Sequence, residues 1–312
     1  MKYVLGGKTA ETCMIGTWAW GTGSNGGKIV FGNHYNEDQL KETFETAYDL
    51  GFNVWDTAEV YGMGSAEKLI GSLIKEKNVL ISTKHYPYRR YKKNENREAL
   101  TASLDRLGID KVDIYWLHSP RNLEYNMKEI AQLKKEGLIG SIGLSNGNLA
   151  QIRRAQITLE ENGVSLEAVQ NHFSLLTIER ETKILKYCLK NKILFFGYMI
   201  LEQGALSGHY DAENHFPSMS LRAASFSKIK FRKIQRLIDY IKLLADKYKI
   251  DSAQIALAWA VSKGVIPIIG LTKPSYAQSL KEGLGISIEE DEIKMLEKLA
   301  LKSGVRCKGV WE

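Results

Sequence analysis

The sequence predicts a (β/α)8 TIM barrel with an N-terminal β-hairpin and extra C-terminal helices, and three observations carry the prediction. Eight short strand-like runs alternate with helical periodicity, the pattern of consecutive βα units, and eight favours a closed barrel over a doubly wound sheet. No Pro- or Ser-rich stretch, low-complexity block or long charge run interrupts the 312 residues, so 1–312 read as one domain. Polar side chains recur just past the apolar runs, on the rim where barrels place their active sites.

The elements follow in order. Residues 3–5 and 9–11 flank Gly6-Gly7 as a hairpin that would plug the lower end of the barrel. The first barrel strand is expected at 13–15. Gly21-Thr22-Gly23-Ser24-Asn25-Gly26 then spells a dinucleotide-type glycine fingerprint, but residues 27–35 stand between it and the next helical periodicity, so it reads as a flexible loop near the pocket. Asn36 caps a helix that runs to Leu50 and stops at Gly51; a strand follows at 52–55 and a helix at about 65–77. The third strand lies at 79–81, and a helix capped by Asn94 stops at Gly108. Strands are expected at 112–117, 141–144, 168–170, 193–196 and 265–269, with helices near 127–136, 148–161, 179–191 and 252–263. The stretch 199–231 is too long for an ordinary connection and reads as a lid.

Composition excludes several classes. At 44% hydrophobic and 25% charged the chain is globular, and no run approaches the roughly 18 apolar residues of a membrane span. Its first residues lack a signal-peptide pattern, so a cytoplasmic protein is expected. The net charge of +7 is spread along the chain without interleaved base-stacking aromatics, which disfavours nucleic acid; the basic stretch 228–236 reads as a solvated face. Cys13, Cys188 and Cys307 match neither a disulfide framework nor a zinc site, and no metal or obligate protein partner is expected.

The chemistry lies at the strand ends: Asp56 after Val54-Trp55, Lys84 after Leu80-Ile81-Ser82-Thr83, His118 after Ile114-Tyr115-Trp116-Leu117, and Tyr61 just beyond Asp56. Singly, each has a plain structural reading as a core ion pair, a half-buried phenol or a packed histidine. Together they form an apparatus for protonating a carbonyl oxygen. A phenol is a sluggish acid unless its phenolate is stabilised, and an adjacent ammonium does that. In this reading Tyr61 donates the proton, Lys84 lowers the Tyr61 pKa, Asp56 holds Lys84, and His118 hydrogen-bonds the substrate oxygen.

Trp55-Asp56-Thr57-Ala58 with Tyr61-Gly62, Ser82-Thr83-Lys84-His85 and Trp116-Leu117-His118-Ser119 resemble the signatures of aldo-keto reductases. Gly16-Thr17-Trp18, Ile142-Gly143-Leu144-Ser145-Asn146, Val169-Gln170-Asn171 and Leu201-Glu202-Gln203-Gly204-Ala205-Leu206-Ser207-Gly208 follow in the family's order, so the resemblance spans nearly the whole chain. It implies an NADPH-dependent barrel enzyme that moves a hydride to an aldehyde or ketone, with NADH as the alternative cofactor. It also implies that Gly16, Thr17, Trp18 and Asp56 border the cofactor and that Ser145, Asn146 and Gln170 hold the nicotinamide carboxamide. Tyr198 would stack on the ring, and Leu201, Gln203 and Gly204 would form a belt over the pyrophosphate. Gly270, Thr272 and Lys273 would take the phosphate end, although Tyr276 and Ser279-Leu280 depart from the family there, as Met199-Ile200 do beside the nicotinamide. The substrate pocket is expected from Trp18, Trp20, Tyr61, Tyr86, Tyr88 and His118, with Phe173 as a further wall and Arg89 and Arg90 as a means of favouring acidic substrates. Two other functions share these residues: a cofactor-binding module resembling potassium-channel β subunits, and a redox-neutral dehydratase or isomerase using bound nicotinamide.

Overall fold

A computed structural model describes residues 2–11, 13–23, 25–32, 35–87, 92–216 and 221–308. β1 (Lys2–Leu5) and β2 (Lys8–Glu11) form the antiparallel hairpin, turning through Gly6 and Gly7 at φ +55° and +80°, the left-handed geometry of a tight two-residue turn. Tyr3, Leu5 and Ala10 pack with Met14, Val54, Leu80, Ile114 and Ile266 inside the barrel, so the hairpin closes its lower end.

Eight parallel strands make the closed barrel: β3 (Met14–Gly16), β4 (Val54–Asp56), β5 (Leu80–His85), β6 (Val112–Leu117), β7 (Ile139–Ser145), β8 (Ala168–His172), β9 (Leu194–Tyr198) and β10 (Ile266–Gly270). All eight expected strands are present. Side chains alternate inward and outward. Val54 faces the barrel interior while Trp55 stacks on Phe44 outside, which returns Asp56 to the inside one residue later. The same parity turns Leu80, Ser82 and Lys84 inward on β5. Trp116 fills the middle of the barrel, and Gly143 opposite makes room for it, since a β-carbon there would lie 2.1 Å from the Trp116 ring. Gly143→Ala is therefore expected to cost about 1–3 kcal/mol through overpacking, read as a fall in the urea midpoint.

The helices are α1 (Gly27–Phe31), α2 (Glu37–Asp49), α3 (Ser65–Leu73), α4 (Glu95–Leu107), α5 (Leu123–Lys135), α6 (Leu149–Glu161), α7 (Ile178–Lys190), α8 (Leu221–Ser225), α9 (Lys228–Tyr248), α10 (Ser252–Ser262), α11 (Pro274–Gly283) and α12 (Glu290–Lys302). The Asn36 side chain caps α2 as expected, accepting from Gln39 N at 2.8 Å. Asn94 does not cap α4: it takes φ +61° and makes no side-chain cap bond, a left-handed entry that asparagine tolerates. α3 stops short of 77, with Glu76 at φ +61° in the turn that leads to β5. α5 begins four residues before the expected 127.

One loop differs from expectation. The glycine run is followed at once by α1, because Gly26 and Gly27 press against the carbonyls of Gly21 and Ala19 and the chain folds back on itself. One helical turn is too short to show periodicity. No strand precedes it directly, so the run is not a dinucleotide fingerprint. Within 199–231 the described part holds a 3-10 turn (Glu202–Gly204), α8 and the start of α9; α8 lies beside α1, and Tyr210, Phe216, Phe226 and Phe231 cluster beneath. Along α9, Lys228, Arg232, Lys233 and Arg236 face solvent while Ile234, Leu237 and Ile241 are buried.

Candidate active site

The barrel brings Asp56, Lys84, Tyr61 and His118 together at the C-terminal ends of β4, β5 and β6. Asp56 is paired in register with Gly16 on one side and Ser82 on the other. Lys84 is fully buried, and its Nζ lies 2.5 Å from Asp56 Oδ2, 2.8 Å from the Thr57 carbonyl and 3.4 Å from the Tyr61 hydroxyl. The other Asp56 oxygen accepts from Ser82 Oγ at 2.6 Å and from Gln170 Nε2 at 3.4 Å. Trp116 Nε1 donates to Ser82 Oγ at 2.7 Å, which extends the network into the core.

Tyr61 sits in the tight turn after β4, stacked on Trp18 at 5.7 Å and meeting the His118 ring edge-on at 6.0 Å. Gly62 permits this turn: at φ +58° a β-carbon would strike the Thr22 backbone at 2.5 Å. Burial, then the nearby Asp56 charge, then Tyr198, push the Tyr61 phenol well above its ordinary pKa. The net shift runs opposite to the fall expected from Lys84, and desolvation of the phenolate is its largest cause. The phenol is held in its proton-bearing form. Burial lowers the Lys84 pKa while Asp56 opposes that fall. Burial, with Lys84 and His85 adding like charge, holds His118 well below its ordinary value, so its imidazole is neutral at neutral pH.

With Lys84 buried behind them, Asp56, Tyr61 and His118 line a cavity of about 1330 Å³. Gly16, Trp18, Ser145, Asn146, Gln170, Tyr198, Leu201, Gln203, Gly204, Gly270, Thr272 and Lys273 all line it. Asn146 takes φ +60° and donates from Nδ2 to the His118 carbonyl at 2.9 Å, while its Oδ1 accepts from the Tyr198 hydroxyl at 2.6 Å. Thr17 does not line the cavity; it is fully buried and donates its hydroxyl to the Asp56 carbonyl at 3.0 Å.

Two expected pocket walls belong instead to the core. Trp20 is buried, donates Nε1 to the Leu271 carbonyl at 2.6 Å and tilts against Trp55. Phe173 is buried between Phe195 and Trp259. Both are large aromatics on loops near the rim, and sequence alone does not separate an inward from an outward ring there. Tyr86 meets the His118 ring edge-on at 5.7 Å and carries the Arg121 guanidinium 4.7 Å over its face, but does not line the cavity. Tyr88, Arg89 and Arg90 lie outside the described residues.

Arg222 was not anticipated. Its guanidinium lies over the Tyr210 and Phe216 rings at 5.5 and 4.9 Å and borders the cavity. It is only 7% exposed, and among the described residues its Nε has no hydrogen-bond partner and no carboxylate pairs with it. A buried unpaired cation is costly unless an anion meets it. The only sequence signal was an arginine in a long connection, which is weak. At the far end, Tyr276, Ser279 and Leu280 also line the cavity, and Lys273 Nζ lies 5.7 Å from the Tyr276 ring centre. The same cavity carries the amide side chains of Asn146 and Gln170 together with Arg222 and Lys273. Among the described residues no group of His, Cys, Asp and Glu could hold a metal ion, and no helix is long and apolar enough to cross a membrane.

The chain belongs to the aldo/keto reductase family, whose model matches residues 13–301. It is similar to the chloroplastic pyridoxal reductase of Arabidopsis thaliana, with 30% identity over 324 residues covering 97% of this chain and 86% of that protein. It also resembles the NADP(+) aldo-keto reductase yakc of Schizosaccharomyces pombe, at 29% identity over 84% of this chain and 83% of that one. Among solved structures, the glycerol dehydrogenase AKR11B4 from Gluconobacter oxydans superposes with a TM-score of 0.83 at 24% identity, covering 99% of this chain and 98% of that one. An aldo/keto reductase from Klebsiella pneumoniae in complex with NADP and acetate gives 0.74 at 23% identity, covering 95% and 93%. The two structural likenesses support the shared barrel.

Proposed function

We propose that this chain is an NADPH-dependent reductase of aldehydes or ketones in which Tyr61 is the general acid. One observation carries the reading: beside a cavity of about 1330 Å³, a buried ammonium lies 2.5 Å from a carboxylate and 3.4 Å from a phenol, with a neutral imidazole alongside. When bound, reduced nicotinamide supplies the hydride. Tyr61, kept protonated by burial, gives its proton to the substrate oxygen as negative charge develops there. Lys84 then hydrogen-bonds the phenolate that Tyr61 becomes, and Asp56 keeps the ammonium in place. His118, uncharged, orients the carbonyl without competing for the proton. Ser145, Asn146 and Gln170 would hold the carboxamide, Tyr198 the ring, and Arg222 and Lys273 the phosphates. A cytoplasmic location accords with this chemistry.

The test is a titration with NADPH and with NADH followed by tryptophan fluorescence, since Trp18 lines the cleft, and then a panel of aldehydes followed by absorbance of the reduced cofactor. Saturable binding followed by carbonyl-dependent oxidation supports the reading; binding without turnover on any carbonyl argues for a binding module or a redox-neutral enzyme. Lys273→Met is expected to weaken NADPH binding roughly tenfold or more, the worth of one charge-assisted contact, and to leave NADH binding nearly unchanged. Equal losses for both cofactors would remove Lys273 from the 2′-phosphate.

A further inference from the structure

The segment after β9 holds a backbone conformation that its residues do not favour. Met199, Glu202 and Gln203 have φ of +57°, +47° and +57°, a region that residues other than glycine seldom enter, and Gly204 follows at +106°. Such conformations persist where surrounding contacts over-determine them. Leu201, Gln203 and Gly204 line the cleft, whereas Glu202 is 2% exposed and lies apart from it. Glu202 Oε1 is 2.8 Å from His172 Nε2 and also accepts a hydrogen bond from Ser174 Oγ. His172, the last residue of β8, is 1% exposed, and its ring lies nearly parallel to that of Tyr198, with centres 5.6 Å apart and planes 24° apart. The Tyr198 hydroxyl donates to Asn146 Oδ1, and Asn146 Nδ2 donates to the His118 carbonyl. One connected line therefore runs from the strained turn to the base of the site.

We propose that Glu202 and His172 are positioning residues for the nicotinamide: Glu202 pins the turn 199–204 and orients the His172 ring, and His172 sets the plane of the Tyr198 ring that faces the cofactor. The inference rests on the reading of this cleft as a nicotinamide site. A directional bond to a fixed carboxylate sets a ring plane in a way that an apolar contact does not, and here it is shielded from competing water. Neither side chain lines the cleft, so both act through Tyr198 and the turn.

The test compares wild type with Glu202→Ala, Glu202→Gln, His172→Phe and the Glu202→Ala/His172→Phe double variant. His172→Phe keeps an aromatic ring of similar size against Tyr198 and removes the bond to Glu202. Four quantities are measured: the urea midpoint, the NADPH Kd by tryptophan quenching, kcat with a reducible aldehyde, and the stereochemistry of transfer from NADPH deuterated on either face. Glu202→Ala and His172→Phe are each expected to raise Kd and lower kcat by about tenfold or more, with some transfer from the wrong face. The double variant is expected to be no worse than the poorer single variant, and Glu202→Gln to retain most of the wild-type activity. If Kd, kcat and stereochemistry of both single variants stay within about twofold of wild type, whatever the urea midpoint does, the pair is structural only and the proposal fails. Losses that simply add in the double variant overturn it as well. Should Glu202→Ala not fold, His172→Phe carries the same decision. Absence of NADPH and NADH binding by the wild type sinks the cofactor reading itself, an outcome visible before any variant is made.

Discussion

The Tyr61→Phe variant is expected to lose roughly 10²–10⁴-fold in kcat for carbonyl reduction while binding NADPH as tightly as wild type, if the proposed function holds. The phenol ring fills the space between Trp18 and His118, and phenylalanine keeps that packing; only the hydroxyl beside Lys84 is removed. Steady-state kinetics and a fluorescence titration on the same preparation separate the two quantities. A Kd that rises in step with the fall in kcat would make Tyr61 a structural residue. A pH signature accompanies the change. Burial first, then Asp56, raise the folded phenol above its ordinary value near 10, so its stabilising contribution is present below that value and is lost as pH climbs beyond it. The urea midpoint of wild type is therefore expected to fall relative to that of Tyr61→Phe only above about pH 10.

Asp56→Asn produces the second large effect, on stability and activity together. It removes the carboxylate charge opposite the fully buried Lys84 and leaves the ammonium with neutral acceptors only, and breaking one side of a buried ion pair costs about 3–5 kcal/mol. Replacing both partners, as in Asp56→Asn/Lys84→Met, removes the stranded charge and is expected to recover much of the midpoint without recovering turnover. Equilibrium urea unfolding of wild type, both single variants and the double variant closes the cycle. A double variant as unstable as Asp56→Asn would show that the loss comes from the Ser82 and Gln170 contacts to Asp56 and not from the unpaired ammonium.

Much of the fold was legible because barrel strands are short and apolar, and the facing of their side chains follows from a period of two. Val54 inside, Trp55 outside and Asp56 inside is such a case: placing the strand places the carboxylate. Element ends were less legible. Asn94 spells a cap yet serves as a left-handed entry, since asparagine suits both. α1 was missed because one turn of helix carries no periodicity and is held by close glycine contacts to Ala19 and Gly21.

The site divides in the same way. Asp56 and Lys84 are carried by strands and His118 directly follows one, so their convergence follows from strand order. Trp20, Phe173 and Arg222 stand on loops or short helices, where no local period says which way a side chain turns; the first two enter the core and the third enters the cleft. The strained turn at 199–204 is likewise invisible in a string of residues, because its positive φ values are imposed by a carboxylate that reaches His172, thirty positions away in the chain.

The residue pattern by itself therefore determined the barrel, the number of its strands and which polar groups stand on its rim, since those depend on local periodicity and the parity of a pleat. Only the tertiary structure decided the ionisation of Tyr61, the side of the wall on which each aromatic lies and the pairing of Glu202 with His172. Those depend on desolvation and on contacts between distant segments, and both arise only when the barrel closes.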